Sequence, residues 1–394
     1  MKCPNCGHEV GESPFCPNCG ADLTSTVRRR RRFLRNIDRG VRKGTAAAVI
    51  LVAVMSVLAV VLTSFPLGDS GSSSGSDIPE DAIVLDSGAY IVLSDGFGED
   101  GVFTASLDAS GQLVIVLSQD LAEGYSTFRW DFRDDVRAVS SVITKDDSQL
   151  TWMEPSIGKW SVTVYCSGYG SETAVYTGYF ECWGDSTTTY RWTHSGVSMS
   201  FSYTVSLSQY RSSVNGTDWD EDTLAAAVAA VDSGSVAADL ESRVWQAYSS
   251  AFSDASRTSA DYAACIMEFV DTCFTEQSDL VTYGESVYWA SPAETAYAGI
   301  GDQADLTVLA VSMLKAAGFD AGIVKYPDGW AVAVSADPSD SSALYTRVSG
   351  TFYWICSATD FDGIGSMPDR YGRYGLSLTY CGSLLPTGCG ISIC

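Results

Sequence analysis

Four cysteines near the start of the chain have the types and spacing that point most directly to chemistry. Residues 3–20 read CPNCGHEVGESPFCPNCG, which places Cys3, Cys6, Cys16 and Cys19 in two C-x2-C pairs separated by nine residues. In each pair, two thiolates can face one metal ion across a turn that glycine permits, so both pairs together supply four sulfur ligands. Four protein ligands close a tetrahedral site and leave no open position. We therefore predict a structural zinc ion.

The cysteine pattern resembles the short zinc-ribbon domains found at the N-termini of many prokaryotic membrane proteins. The resemblance implies a zinc ribbon over residues 1–22 with zinc as its structural cofactor. His8 lies between the two pairs. Since four thiolates already complete the site, we interpret this histidine as an exposed turn residue and not as a fifth ligand.

A long apolar stretch follows at residues 45–65, which read TAAAVILVAVMSVLAVVLTSF without a charged residue. At about 1.5 Å per residue the stretch is roughly 30 Å long, so it predicts a single transmembrane helix. The preceding segment, 23–44, is strongly basic, whereas residues 66–81 form an acidic and Ser/Gly-rich linker. By the positive-inside rule we expect a single-pass cell-membrane protein with a cytoplasmic N-terminus and extracellular C-terminal domains.

The charge of the chain is divided unevenly between its two ends. Residues 1–66 carry a net charge of +6, and the whole chain carries −24, which leaves −30 for the remainder. Because binding to phosphates needs a basic surface, so acidic a C-terminal portion excludes nucleic acid as an expected partner. The membrane is the partner that the apolar stretch and its basic flank predict.

Residues 82–185 show the alternation that is typical of β-strands. Segments such as QLVIVLS (112–118), TFRWDFR (127–133) and KWSVTVY (159–165) are rich in β-branched and aromatic residues. Gly, Asp and Ser interrupt them at intervals of about ten residues, which predicts an all-β sandwich of antiparallel strands. This region offers no catalytic constellation.

Helical periodicity appears in the last part of the chain, residues 186–394. Apolar residues recur at helical spacing in 221–231, 237–252 and 260–274, so this region is predicted to be α+β. Eight cysteines follow the apolar stretch, and in the predicted extracellular setting we expect disulfides, with the connectivity left open. Cys265 and Cys273 cannot pair with each other, because eight residues of helix separate them by about 12 Å.

One segment of this region carries a family resemblance. Residues 288–334 read YWASPAETAYAGIGDQADLTVLAVSMLKAAGFDAGIVKYPDGWAVAV, and residues 352–372 read FYWICSATDFDGIGSMPDRYG. They resemble the transglutaminase-like, papain-type superfamily in the form carried by archaeal surface proteins, and with 189–213 the resemblance covers about 186–372. The residues that match the family's motifs are Tyr288, Trp289, Pro292, Glu294, Thr295, Gly301, Asp302 and Asp305.

The resemblance implies chemistry that this chain has lost. Members of the family use a cysteine at a helix N-terminus, a histidine on a following strand and a carboxylate on the next strand. The corresponding positions here are Gln303, Gly329 and Ser357, and Ala304 replaces the acid beside the cysteine. His194, the chain's second histidine, lies far upstream in a predicted strand, where we expect an exposed side chain. The domain is therefore predicted to be a pseudoenzyme.

Two hypotheses for function follow from these residues. The first is a membrane-anchored surface protein whose catalytically inactive transglutaminase-like domain acts as a binding or structural module. Its cleft would hold a peptide or a cell-envelope component, and the residues that could line it are Trp289, Asp302, Trp330 and Trp354. Asp302 is also a favourable N-cap for the helix that the family has at this point.

The alternative hypothesis is an enzyme, a hydrolase or acyl transferase with an unconventional nucleophile or a metal-assisted mechanism. It requires a titratable cluster or oxygen ligands for a cation. The acidic residues available for this are Asp302, Asp305, Asp328 and Asp360.

Overall fold

The computed structural model describes residues 78–394 with gaps. The gaps are 98–100, 135–138, 153–154, 169–172, 215–222, 232–234, 284–286, 327–328, 341–342 and 369–389. The chain divides into two units, Met1–Thr63 and Ser64–Cys394, of which the first lies wholly outside the described residues. The predicted zinc ribbon, the basic segment 23–44 and the apolar stretch 45–65 therefore lie outside them as well.

The predicted fold class requires a correction, because it included a single transmembrane helix. No helix in the described part of the chain is long and apolar enough to cross a membrane. The longest described helix, Ser235–Ala251, has 17 residues and carries two acids and an arginine in its interior, whereas a membrane span needs about 20 mostly apolar residues. The predictions of a membrane protein with a transmembrane helix, of a cell-membrane localisation and of extracellular C-terminal domains do not stand. What the structure describes is a β-rich fold with helices in its second half.

The first half of the described chain consists almost entirely of β-strands. The strands of the first half are β1 (Ile83–Val84), β2 (Tyr90–Leu93), β3 (Phe103–Leu107), β4 (Leu113–Leu117), β5 (Thr127–Asp134), β6 (Val139–Lys145), β7 (Gln149–Trp152), β8 (Gly158–Ser167) and β9 (Thr173–Trp183). A single helical turn, α1 (Gln119–Ala122), interrupts them.

The second half mixes both types of element. Its helices are α2 (Leu207–Val214), α3 (Leu224–Ala230), α4 (Ser235–Ala251), α5 (Ala260–Cys273), α6 (Asp279–Thr282), α7 (Pro292–Ala298) and α8 (Gln303–Ala317). Its strands are β10 (Ser186–His194), β11 (Val197–Val205), β12 (Thr275–Glu276), β13 (Ile300–Gly301), β14 (Ala321–Tyr326), β15 (Gly329–Val334), β16 (Tyr345–Val348), β17 (Thr351–Cys356) and β18 (Gly390–Ile393).

The first lobe consists of two antiparallel sheets that share one core. One sheet has the order β1-β2-β9-β8-β5-β6 and the other the order β3-β4-β7. Along β5, Phe128, Trp130 and Phe132 are buried, while Arg129 between them is exposed, as the period of two requires. Phe103 of the small sheet lies 6.0 Å from Trp130 of the large sheet, centroid to centroid, so aromatic side chains from both sheets fill the core.

The second lobe is organised around α8, which is buried along most of its length. The helix packs against α4 and α5 on one side and against the sheet β16-β17-β15-β14-β18 on the other. Along β15, Val332 and Val334 belong to the core beneath the helix, whereas Ala331 and Ala333 face a second, smaller core. Gly318 ends the helix with a φ of 95°, a left-handed conformation that glycine adopts without strain.

A β-hairpin begins the second lobe. Ser195 and Gly196 connect β10 to β11, and both have positive φ, which is the geometry of a two-residue type I′ turn. The inner face of the hairpin packs on α5, where the rings of Tyr190 and Trp192 lie 5.3 Å and 5.2 Å from that of Phe269. The hairpin is thereby fixed to the helical core.

The expectation of disulfides is wrong for the cysteines that the structure describes. Six of them form no disulfide: Cys166, Cys182, Cys265, Cys273, Cys356 and Cys394. Cys381 and Cys389 lie outside the described residues. Most of the described thiols are buried among apolar side chains, so they contribute to packing and not to cross-linking.

Candidate site at the start of the central helix

The N-terminus of α8 is held by a reciprocal cap. Asp302 accepts hydrogen bonds from the backbone N–H groups of Ala304 and Asp305, at 2.7 and 3.0 Å. The Asp305 carboxylate accepts the backbone N–H of Asp302 in return, at 3.1 Å. This capping box satisfies three donors at the helix start and gives Asp302 the N-cap role expected of its residue type.

Gln303 occupies the first helical position and reaches the neighbouring strand. Its Oε1 atom accepts the backbone N–H of Trp330 at 3.2 Å, one residue after Gly329 at the start of β15. Its Nε2 atom is buried and donates to no atom in the described part of the chain. The structure therefore brings the predicted positions Gln303 and Gly329 together, and a hydrogen bond joins the two elements.

Ser357 directly follows β17, the strand next to β15. Its predecessor, Cys356, pairs in register with Val332. The Ser357 hydroxyl is fully buried and accepts the backbone N–H of Thr359 at 3.3 Å. This contact stabilises the turn after the strand, so the hydroxyl is engaged locally.

Two of the predicted cleft tryptophans pack together beside the helix start. The rings of Trp289 and Trp330 meet edge to face with centroids 4.7 Å apart, and both side chains are buried. The Lys325 ammonium lies 4.8 Å from the centre of the Trp330 ring. Trp354 is half-buried on β17, and its ring neighbours there are Tyr345 and Phe352. The tryptophans thus contribute to packing and do not form one exposed aromatic surface.

Neither a reactive thiol nor an imidazole is placed at the helix start in the described part of the chain. Cys356 lies on the strand beside it, but complete burial raises the pKa of its thiol to about 12. A thiol with such a pKa stays protonated and unreactive near neutral pH.

His194 is buried in a different part of the lobe, so the prediction of an exposed side chain is wrong. Its Nδ1 atom lies 2.7 Å from a carboxylate oxygen of Glu268, and its Nε2 atom lies 3.2 Å from one of Asp261. Burial lowers the pKa of His194, but the two carboxylates raise it more, so the net shift is upward. Both ring nitrogens face acceptors, an arrangement that the protonated imidazole satisfies.

Sequence reasoning missed one acidic residue of this site. Asp279, at the start of α6, brings a carboxylate oxygen within 4.8 Å of oxygens of Asp302 and Asp305. Asp279 accepts the backbone N–H of Tyr288 at 2.8 Å, and Asp305 accepts that of Ala290 at the same distance. Asp279 and Asp305 therefore tie the segment before α7 to α6 and to the start of α8.

Burial determines the protonation of these carboxylates. It raises the pKa of Asp279 to about 7, with a further contribution from the negative charge of Asp302. It also raises the pKa of Asp305 well above its usual range, again assisted by the neighbouring charges. The group therefore retains protons where isolated carboxylates would be ionised. The other two predicted acids are not part of it, because Asp328 lies outside the described residues and Asp360 is exposed in a loop after β17.

Comparison with known proteins yields little. No family model matches the sequence, and no curated protein matches it. A crystal structure of a "putative protease" from Parabacteroides distasonis is similar at 12% sequence identity and a TM-score of 0.20, over 70% of this chain and 71% of that chain. A likeness at this score supports no assignment of fold or activity.

Proposed function

We propose that residues 186–394 form a catalytically inactive transglutaminase-like module, and that the protein acts through it as a binding or structural module. The observation that carries this proposal is the side chain of Gln303. It stands at the first residue of α8, the position of the family's nucleophile, and is fixed there by the backbone N–H of Trp330. A carboxamide neither ionises nor attacks a carbonyl.

The surroundings of Gln303 support the same proposal. Gly329 has no side chain to act as a base, and the Ser357 hydroxyl is buried and engaged by Thr359. Trp330, whose backbone N–H bonds to Gln303, packs its ring on that of Trp289. Since packing and a hydrogen bond occupy these positions, this part of the lobe serves stability and not turnover.

The acidic cluster favours a second candidate, a metal-assisted hydrolase. Asp279, Asp302 and Asp305 place carboxylate oxygens close enough to share one divalent cation. Hydrolysis that depends on a metal would then need these carboxylates and not Gln303. This candidate lacks an identified nucleophile or base, so we rank it second.

Two arms of one experiment separate the candidates. The full chain is assayed with fluorescein-labelled casein and with p-nitrophenyl acetate, in EDTA and in Mn²⁺ or Ca²⁺. The first proposal expects rates equal to those of the Gln303→Ala variant under every condition. Activity that appears with the metal and disappears in Asp302→Asn would overturn it in favour of the hydrolase.

The resemblance itself is tested by restoring the three positions. Gln303→Cys, Gly329→His and Ser357→Glu together place a thiol at the start of α8, where the helix dipole and an imidazolium favour the thiolate. We expect its pKa, followed by the pH dependence of iodoacetamide labelling, to fall below the value of about 8.5 of a free cysteine. Gln303→Cys alone is the matched control. If the triple variant folds and its thiol labels no faster than that of the single variant, the assigned positions are wrong.

A further inference from the structure

A groove of about 1170 Å³ separates the two lobes, and it shares no lining residue with the site at α8. Its walls come from the turn between β1 and β2, the segment before β8, the beginning of β10 and helix α2. The volume is slightly above the range of about 300–1,000 Å³ that is usual for ligand pockets. Its polar lining side chains are hydroxyls of serine, threonine and tyrosine, together with Asp185 and Arg211. The Asp185 carboxylate accepts the backbone N–H of Leu207 at 3.0 Å, at the start of α2.

One wall of this groove is the edge of a strand. In the described part of the chain, β10 pairs with β11 alone, so its other edge carries no neighbouring strand. The two-residue turn makes His194 and Val197 a hydrogen-bonded pair, and such pairs alternate with non-bonded ones along the hairpin. Every second residue of β10, Thr187 and Thr189 included, therefore directs its N–H and C=O away from β11. The bond from the Cys273 thiol to the carbonyl of Arg191 agrees with this alternation.

Thr187 and Thr189 present this edge to the groove. Both line it, and both side chains are exposed. Their hydroxyls bond across the hairpin to those of Thr204 and Ser202, each at 2.8 Å. Their outward backbone groups have no partner in the part of the chain that the structure describes. Backbone N–H and C=O groups without a partner at a strand edge can form hydrogen bonds to an added strand.

Arg211 supplies a cation to the same groove. Its guanidinium donates to the Tyr90 hydroxyl across the groove, and no carboxylate in the described part of the chain pairs with it. This is notable in a chain with 48 acidic and 24 basic residues. One hydroxyl uses only part of the five-donor guanidinium, so the rest can bind an anionic group.

We propose that the groove binds an extended peptide that carries a carboxylate. The peptide backbone adds to the edge of β10 at Thr187 and Thr189, and the carboxylate pairs with Arg211. The strand edge selects an extended backbone, while the guanidinium selects the charge. The proposal uses none of the three assigned positions Gln303, Gly329 and Ser357, so it can fail or hold independently of the lost-chemistry assignment. Its own residues do lie within the range 186–372 that the resemblance covers.

The proposed pairing of a peptide carboxylate with Arg211 is tested with a set of peptides. Fluorescein-labelled nonapeptides of alternating threonine and valine carry one aspartate at each successive position, and their binding to the full chain is followed by fluorescence anisotropy. We expect saturable binding by at least one of them and about tenfold weaker binding by its asparagine counterpart, as for loss of a charge-assisted bond. Arg211→Gln should abolish the difference between the two peptides.

The strand edge is tested with proline. Thr189→Pro removes an outward N–H and leaves the ladder to β11 intact, a substitution that edge strands tolerate. Thr193→Pro, at an outward position of the same strand outside the groove, is the matched control. We expect Thr189→Pro to weaken binding about tenfold and Thr193→Pro to leave it within about twofold.

A readout on the wild-type protein covers the case in which a proline variant fails to fold. Peptides N-methylated at alternate amides should lose binding in one register and retain it in the other, since only one set of amides faces β10. The proposal is overturned if no peptide saturates by about 1 mM. It is also overturned if binding is indifferent to Arg211→Gln and to N-methylation in both registers.

Discussion

At the scale of single residues, the start of α8 is governed by burial acting on carboxylates. Asp279 is almost fully buried, its pKa is raised to about 7, and it lies beside Asp302 and Asp305. Below about pH 4 this group is protonated in both the folded and the unfolded chain. Between about pH 4 and 7 the unfolded chain releases its proton first, so the free energy of unfolding falls as pH rises.

Asp279→Asn should remove the contribution of Asp279 to this pH dependence, because the amide never ionises and its oxygen can still accept the N–H of Tyr288. We expect the variant to match the wild type near pH 4 and to be more stable at pH 8 by up to about 4 kcal/mol, because the shift of about three pKa units corresponds to roughly 1.4 kcal/mol per unit. Urea unfolding at pH 4, 6 and 8, followed by tryptophan fluorescence, measures the difference. Asp254→Asn, in the exposed loop before α5, should follow the wild type throughout. If the stability gained by Asp279→Asn over the wild type grows as pH falls, the pKa of Asp279 is not raised in the folded chain.

At the scale of elements, local periodicity predicted more than contacts between distant segments. The helical spacing in 221–231, 237–252 and 260–274 matches the observed Leu224–Ala230, Ser235–Ala251 and Ala260–Cys273 closely. The reason is that the apolar residues of one amphipathic helix all lie within a single continuous segment of the sequence. No such signal connects Asp279 to α8, because their proximity depends on how the chain between them folds.

The sequence does contain a signal for the burial of His194. It alternates with Tyr190 and Trp192, so the period of two places all three side chains on the face of β10 that packs on α5. The same alternation could not predict that two carboxylates would face the His194 ring. Glu268 and Asp261 lie far along the chain from the histidine, and only the packing of hairpin on helix brings them to its two nitrogens.

The His194 contacts should stabilise the docking of the hairpin on α5 in a pH-dependent manner. Since the folded pKa is raised above the usual 6.5, the contribution is fully present below that value and is lost as pH rises through the folded pKa. His194→Gln should therefore lower the free energy of unfolding by about 1–2 kcal/mol more at pH 6 than at pH 9. Thr193→Ala, on the exposed face of the same strand, controls for the substitution itself. Urea titrations showing an equal loss at both pH values would exclude a charged imidazole.

At the scale of the whole described unit, the two lobes meet around one tyrosine. The Tyr297 hydroxyl donates to the carbonyl of Gly184 at 2.8 Å, and its own carbonyl accepts the hydroxyl of Ser186 at 2.8 Å. Its ring stacks on Tyr210 of α2 with centroids 4.2 Å apart. Helix α7 is thus joined to the connection between β9 and β10, the point at which the chain leaves the first lobe.

The same tyrosine gives a prediction for the cooperativity of unfolding. Tyr297→Phe keeps the ring on Tyr210 but leaves the Gly184 carbonyl without its donor, which costs about 1–2 kcal/mol when the acceptor is buried. Because the bond spans the lobes, we expect calorimetry of the full chain to show the transition of both lobes shifted to lower temperature together. Tyr165→Phe removes an exposed hydroxyl of the first lobe, and we expect it to leave the unfolding temperatures of both lobes unchanged. If Tyr297→Phe lowers the midpoint of the second lobe alone, the junction does not couple the lobes, and the groove between them is free to change its width.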